Sequence, residues 1–198
     1  MDALGFGDSH QKTVTVTKTR LPVYQDDSPK IPGDTFIVFH PGASCPSKRW
    51  PKERFVELGK KILGQMPYSL VVVGGDDEKQ EGAFLKNELN GNILDLTGQL
   101  GLKELAALLK KADVLVTNDS GPGHIAAAVG TPVLTVFGRN QAGLSARRWK
   151  TLGEKDVVIQ KDVGCVVCLA HRCTIDFECL KAVGVEEVYC CLKKMIEK

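Results

Sequence analysis

Apolar residues along this chain fall into two kinds of stretch. One kind is a short unbroken run: FIVF at 36–39, SLVVVGG at 69–75, ILDL at 93–96, DVLVTN at 113–118, PVLTVFG at 132–138 and DVVIQ at 156–160. Unbroken runs of this length predict strands buried on both faces. The other kind recurs at helical spacing. Phe55, Leu58, Ile62 and Leu63 mark a helix over 51–63, with Pro51 suited to its first turn. Leu102, Leu105, Leu108, Leu109 and Ala112 line one face of another, and Val188, Leu192 and Met195 one face of a last helix over 185–196. A charged segment at about 78–89 and an Ala-rich one at 121–129 predict two more. Strands and helices alternate, so the expected class is α/β, a doubly wound parallel sheet covered on both faces with right-handed crossovers.

Residues 1–34 break this pattern. The alternation TVTVT at 13–17 predicts one short strand, and Pro22, Asp26, Asp27, Pro29, Pro32 and Gly33 read as linker. The expected organisation is therefore a linker or remnant of a preceding domain over 1–34, then one domain over 35–198 with a Cys-rich C-terminal segment. There is no internal repeat and no low-complexity tract.

Composition narrows the class without naming a function. Of 198 residues, 43% are hydrophobic and 25% charged, which excludes a disordered or collagen-like chain. No apolar run approaches the roughly 20 residues of a membrane span. A net charge of +2 gives no argument for a nucleic-acid partner. The start, MDALGFGDSHQK, lacks the regions of a signal peptide, so the 7 cysteines are expected to be mostly reduced thiols in the cytoplasm.

In doubly wound sheets, ligands bind outside the carboxyl ends of the strands. The segments that follow the first five strands are HPGASCPSKRW, GGDDE, TGQLGL, NDSGPGH and FGRNQAG, all rich in small and polar residues. NDSGPGH (118–124) is the most informative. Ser120 or Gly121 can cap the following helix, and Pro122 fits near its first position. Free amides and the dipole at such a helix start favour phosphate or diphosphate, with Gly121 and Gly123 allowing close approach and His124 one turn in. A polar cap with a core histidine fits the same residues equally well. In the first loop Gly42 permits a tight turn, Ser44 offers a hydroxyl and Lys48 a compact positive charge, against the alternative of a solvated lysine. Asp76, just after the second strand, sits where dinucleotide folds hold ribose or sugar hydroxyls; a helix N-cap is the other reading. GxGxxG, GxxxxGK[ST] and GxSxG are all absent from the expected positions.

At these loops the sequence resembles glycosyltransferase family 9, the heptosyltransferases of bacterial lipopolysaccharide core assembly. The resemblance rests on HPGAS at 40–44, SKRWP at 47–51, VVVGGDDE at 71–78, LTGQLGLKELAALLKKAD at 96–113, NDSGPGHIAAAVGTPVLTVFG at 118–138 and the Cys-rich end. It runs from about Thr35 to Ile196. It implies a Rossmann-like domain, the C-terminal half of a GT-B fold, binding a nucleotide-activated sugar, typically ADP-heptose. It implies that Ser44 and Lys48 contact the diphosphate and that Asp76 lies near the adenosine. By the same resemblance Leu100 lines the adenine pocket, Asp119 binds sugar hydroxyls, and Ser120, Gly121 and His124 cradle the phosphates. Lys48 and Asp119 are then the candidate catalytic residues, with Lys48 and the helix at Gly121 stabilising the leaving diphosphate during inverting transfer. The implied partners are an ADP-sugar donor, a lipopolysaccharide core or other glycan acceptor, and a separate N-terminal domain that carries the family's acidic base. The implied location is cytoplasmic, peripheral at the inner face of the inner membrane. The scheme requires no cofactor and no metal; the adjacent Asp76 and Asp77 read equally as a charged turn.

Two features stand outside that scheme. Cys165, Cys168, Cys173 and Cys179 cluster around His171, while Cys190 and Cys191 lie on the last helix. Free thiols or an occasional disulfide, a zinc or iron–sulfur site, and a catalytic thiol are all open readings. Trp50, Arg147, Arg148 and Trp149 are candidates for an exposed cleft face, with both tryptophans in the core as the alternative. Three functions compete: the donor half of a family 9 glycosyltransferase, a non-catalytic nucleotide-binding module, and a Cys-cluster metal protein.

Overall fold

The computed structural model describes residues 33–90, 93–169 and 171–197, together with 29 and 31. The strand expected at 13–17 lies outside these residues. Six strands, β1 (Phe36–His40), β2 (Ser69–Val72), β3 (Ile93–Asp95), β4 (Val114–Asn118), β5 (Val133–Phe137) and β6 (Val157–Gln160), form one sheet in the order β3-β2-β1-β4-β5-β6. Every neighbouring pair is parallel. The chain walks outward from β1 to β3, then returns to place β4 on the other side of β1, with Ile37 opposite Val114 and His40 opposite Thr117. The strand order therefore reverses between β1 and β4, and the crevice above that junction is where such sheets bind ligands.

The unbroken apolar runs are explained by burial on two sides. Ile37, Phe39, Leu70, Val72, Val114, Val116, Leu134 and Val136 face one layer. That layer contains α1 (Lys52–Gln65), α2 (Lys79–Glu88) and the terminal helix, α7 (Val185–Ile196). Phe36, Val38, Val71, Val73, Leu115 and Val133 face the other, built from α3 (Leu102–Lys111) and α4 (Gly121–Val129). Leu58 and Ile62 of α1 are fully buried, as their spacing requires, and each is worth roughly 1.5–3 kcal/mol. α4 ends on Gly130, whose φ of 91° is left-handed; its amide reaches back to the Ala126 and Ala127 carbonyls.

Two short helices were not foreseen: α5 (Ala146–Trp149) and α6 (Glu178–Lys181), each of four residues, too short for a periodic signal. Two 3-10 turns, Pro46–Lys48 and Asp76–Glu78, also replace expected irregular loop. Trp50 takes the core alternative. It is 1% exposed and forms no cleft face: its indole N–H donates to the Val183 carbonyl at 3.0 Å, and its ring meets Phe55 edge-on at 5.0 Å. Trp149 is 45% exposed, and the Arg148 guanidinium lies 5.4 Å from its ring centre. Among the described residues no helix is long and apolar enough to cross a membrane.

Candidate functional site

Above the β1–β4 junction lies an open crevice of about 590 Å³. Its walls come from the segments after β1, β2, β3 and β4. Ser44, Lys48, Leu100, Asp119, Ser120, Gly121 and His124, seven of the expected site residues, all line it. Asp76 does not; its carboxylate faces outward, 82% exposed, and pairs with Lys79 Nζ at 2.7 Å. Lys79, through its hydrogen bond and its charge, holds the Asp76 carboxyl below the ordinary value. The acidic side chains that reach the crevice from this turn are Asp77 and Glu78.

The floor of the crevice is fixed by Asn118, the last residue of β4. Buried completely, it donates to the Pro41 and Gly42 carbonyls at 2.7 and 3.2 Å and accepts from the Trp50 amide at 3.0 Å. One side chain thereby ties both ends of the β1–α1 loop to the end of β4. That loop carries Lys48 on its 3-10 turn, and Lys48 Nζ lies 2.8 Å from Asp119 Oδ2. Asp119 is 7% exposed and Lys48 21%, so the pair sits at the mouth, with one face open to the crevice. An ammonium carries three donors, and Asp119 takes one of them.

Ser120 occupies the N-cap position of α4, and its side chain makes no cap. This corrects the expectation of a Ser120 hydroxyl cap. The hydroxyl turns instead toward His40 Nδ1 at 3.0 Å and Thr117 Oγ1 at 2.9 Å. The first amides of α4 are consequently uncapped and face the crevice beside Lys48, an arrangement suited to an anion.

His40 and Glu78 are the functional residues that sequence reasoning missed. His40, 3% exposed, ends β1, and its Nε2 lies 3.1 Å from Glu78 Oε2. The same Glu78 oxygen accepts the Gly75 amide at 2.9 Å. Burial pushes the Glu78 carboxyl up, but His40, the Gly75 amide and the charge of Arg49 together outweigh it and leave it below the ordinary value. Gly42 makes room for this contact: a Cβ there would overlap the Glu78 carboxylate. A histidine ending β1 and an acid just past β2 were the available signals, because the ends of adjacent parallel strands converge.

The cysteine cluster borders a second cavity of about 240 Å³, beyond β5 and β6, shared with Ser47, Arg139 and Phe177. All seven cysteines carry free thiols. Among the described residues no group of three or more His, Cys, Asp or Glu side chains is arranged to hold a metal ion. Burial, and then the neighbouring Cys165, Cys173 and Cys168, push the Cys179 thiol up, which disfavours a reactive thiolate there.

A six-stranded parallel sheet with this order and a crevice at its switch point defines a Rossmann-like domain. Residues 3–177 match the sequence model of glycosyltransferase family 9 (heptosyltransferase), and the chain belongs to that family. Lipopolysaccharide heptosyltransferase 2 of Salmonella typhimurium is 34% identical over 107 residues, 52% of this chain and 30% of that protein. The solved ADP-heptose lipopolysaccharide heptosyltransferase II of E. coli superposes with a TM-score of 0.69 at 26% identity, covering 82% of this chain and 46% of that one. E. coli heptosyltransferase WaaC, solved with ADP, gives a TM-score of 0.64 at 20% identity, covering 83% and 46%, a likeness of fold alone. These neighbours are GT-B heptosyltransferases, and this chain has the fold of one Rossmann-like half of them. It spans less than half the length of each.

Proposed function

We propose that this chain holds the nucleotide diphosphate of an activated sugar, ADP-heptose, as the donor side of inverting transfer to a lipopolysaccharide core acceptor. One observation carries the reading: the Lys48–Asp119 pair stands beside the uncapped first turn of α4 in a crevice at the sheet's switch point. The ADP of the WaaC complex and the ADP-heptose in the name of the E. coli neighbour supply the nucleotide and the sugar. In this reading Lys48, Ser44, Ser120 and the α4 amides hold the diphosphate, Asp119 receives sugar hydroxyls, and Leu100 lines the base pocket. Asp76 reaches the adenosine only by turning away from Lys79.

An acceptor hydroxyl attacks the anomeric carbon, and the bond from that carbon to the diphosphate oxygen breaks. The hydroxyl proton passes to an acidic residue of a facing N-terminal domain. Negative charge grows on the departing diphosphate, where Lys48 and the head of α4 stabilise it without rearrangement. No metal or cofactor enters this scheme. The reaction takes place at the cytoplasmic face of the inner membrane, where the exposed Arg147 and Arg148 suit an anionic surface.

Calorimetric titration with ADP, UDP and GDP tests this reading. Selective ADP binding is expected, weakened about tenfold to a hundredfold in Lys48→Ala, the loss of a charge-assisted contact. Equal binding of all three nucleotides, or none, overturns it. Transfer measured with and without an N-terminal half separates an active donor domain from a module that only binds.

A further inference from the structure

Around Ser120 the hydrogen-bonding positions outnumber the protons. Ser120 Oγ, Thr117 Oγ1 and His40 Nδ1 form a closed triangle with edges of 2.9, 3.0 and 3.2 Å. Thr117 Oγ1 also lies 3.1 Å from the Asn118 carbonyl, which can only accept. On the far side of the ring, Glu78 as a carboxylate can only accept, so His40 Nε2 carries a proton.

With a neutral imidazole, Nδ1 is bare. The two hydroxyl protons then go to Nδ1 and the Asn118 carbonyl, and none is left for the crevice. With an imidazolium, Nδ1 donates into the triangle, Thr117 donates to Asn118, and Ser120 turns its proton outward. Thr117 is fully buried, and His40, though it borders the crevice, is 3% exposed with both ring nitrogens engaged, so Ser120 is the member of the triangle able to meet a ligand.

Resting on the donor-binding reading above, we propose that His40 is a positioning residue that takes up a proton when a diphosphate enters the crevice and thereby converts Ser120 from acceptor to donor. Glu78 is the counter-charge that makes the imidazolium tolerable at a site 3% exposed. The charged and titratable groups around His40 are Glu78 itself and Arg49, whose charge reaches Glu78, together with Asp77, the Lys48–Asp119 pair and His124 on the crevice wall. Of these, His124 is the other imidazole, on the crevice wall.

The test is calorimetric titration of the whole chain with ADP-ribose, whose diphosphate is esterified at both ends and does not itself titrate near neutrality. It is run in two buffers of different ionisation enthalpy, from about pH 6 to about pH 8. The wild type is expected to take up close to one proton per ligand at the alkaline end. Its affinity should fall there by up to about tenfold per pH unit. His40→Asn should bind more weakly, with no uptake and a flat profile. Glu78→Gln should keep the uptake but move it to lower pH, and it serves if His40→Asn does not fold. His124→Gln should leave the uptake intact. Binding without uptake in the wild type overturns this inference and leaves donor binding standing, as does uptake that survives His40→Asn and disappears in His124→Gln. Failure to bind ADP-ribose overturns both.

Discussion

Two cavities open at the carboxyl edge of the same sheet, one on each side of the Pro46–Lys48 turn. Lys48 faces the first and pairs with Asp119; Ser47 faces the second and receives Arg139 Nε at 2.9 Å. The first lies at the strand reversal and is walled by polar groups that hold one another across the sheet: His40 with Glu78 and Ser120, Lys48 with Asp119. The second lies over β5 and β6 and is walled by four free thiols, the apolar Val167, Leu169 and Phe177, and the charged Arg139, Lys161, Asp162 and Arg172. One edge of a parallel sheet thus carries two different chemistries. The reversal between β1 and β4 brings side chains from four successive loops into reach, and there Lys48, Asp119 and the uncapped head of α4 form a charge arrangement fit for an anion.

The largest expected effect breaks both cavities together. Trp50→Ala removes the buried ring behind the loop that separates them and should cost about 3–5 kcal/mol of stability in urea unfolding. A smaller loss would mean that Asn118 alone holds the loop. Arg139→Ala sharpens the contrast, because it strips the Ser47 hydroxyl and Cys45 Sγ of a shared donor at the second cavity only. It should cost about 1–2 kcal/mol and leave ADP titration unchanged; weakened ADP binding would show that the two cavities act as one.

Glu78 gives a pH signature to the first cavity. Its carboxyl lies lower in the folded chain than its ordinary value of 4.5, so the unfolded chain binds more protons near that pH. Its stabilisation is complete above about pH 4.5 and is lost as pH falls through the lower folded value. Acid unfolding of Glu78→Gln should therefore be shallower than that of the wild type; an identical slope would break the assignment. The smallest effect belongs to the thiols. Because Cys179 is raised by burial and by its neighbours while Cys165 is exposed, alkylation near neutral pH should label Cys165 before Cys179, as peptide mass mapping can follow.

The sheet was legible because its cause is local. FIVF, SLVV and VLV are almost wholly apolar, because a strand buried on two sides leaves few polar positions, such as Thr117 and Asn118 at the end of β4. The last helix, read as 185–196, is α7 (Val185–Ile196), because Val188 and Leu192 keep one face apolar. NDSGPGH could be placed because a strand end and a helix start adjoin in sequence. His40 could not be assigned in the same way, since its partners lie 38, 77 and 80 residues away. For a related reason the sequence leaves Trp50 open between cleft face and core. A lone aromatic before a helix carries no periodicity, and the carbonyl that receives its indole is 133 residues on. Asp76 and Glu78 share one short turn, and which carboxylate enters the crevice depends on the turn's 3-10 conformation.

The contact between Gly42 and Glu78 also constrains how this sequence can drift. The Glu78 carboxylate is held by His40 and the Gly75 amide, so it cannot swing aside for a methyl group at position 42 without abandoning both. An alanine at 42 becomes acceptable only after position 78 has shortened or lost its charge. Such a change at 78 removes the counter-charge of His40. Positions 42, 78 and 40 therefore form a lineage constraint in which the glycine is the last to change, and relatives that lack the histidine are where a larger residue at 42 should first be found.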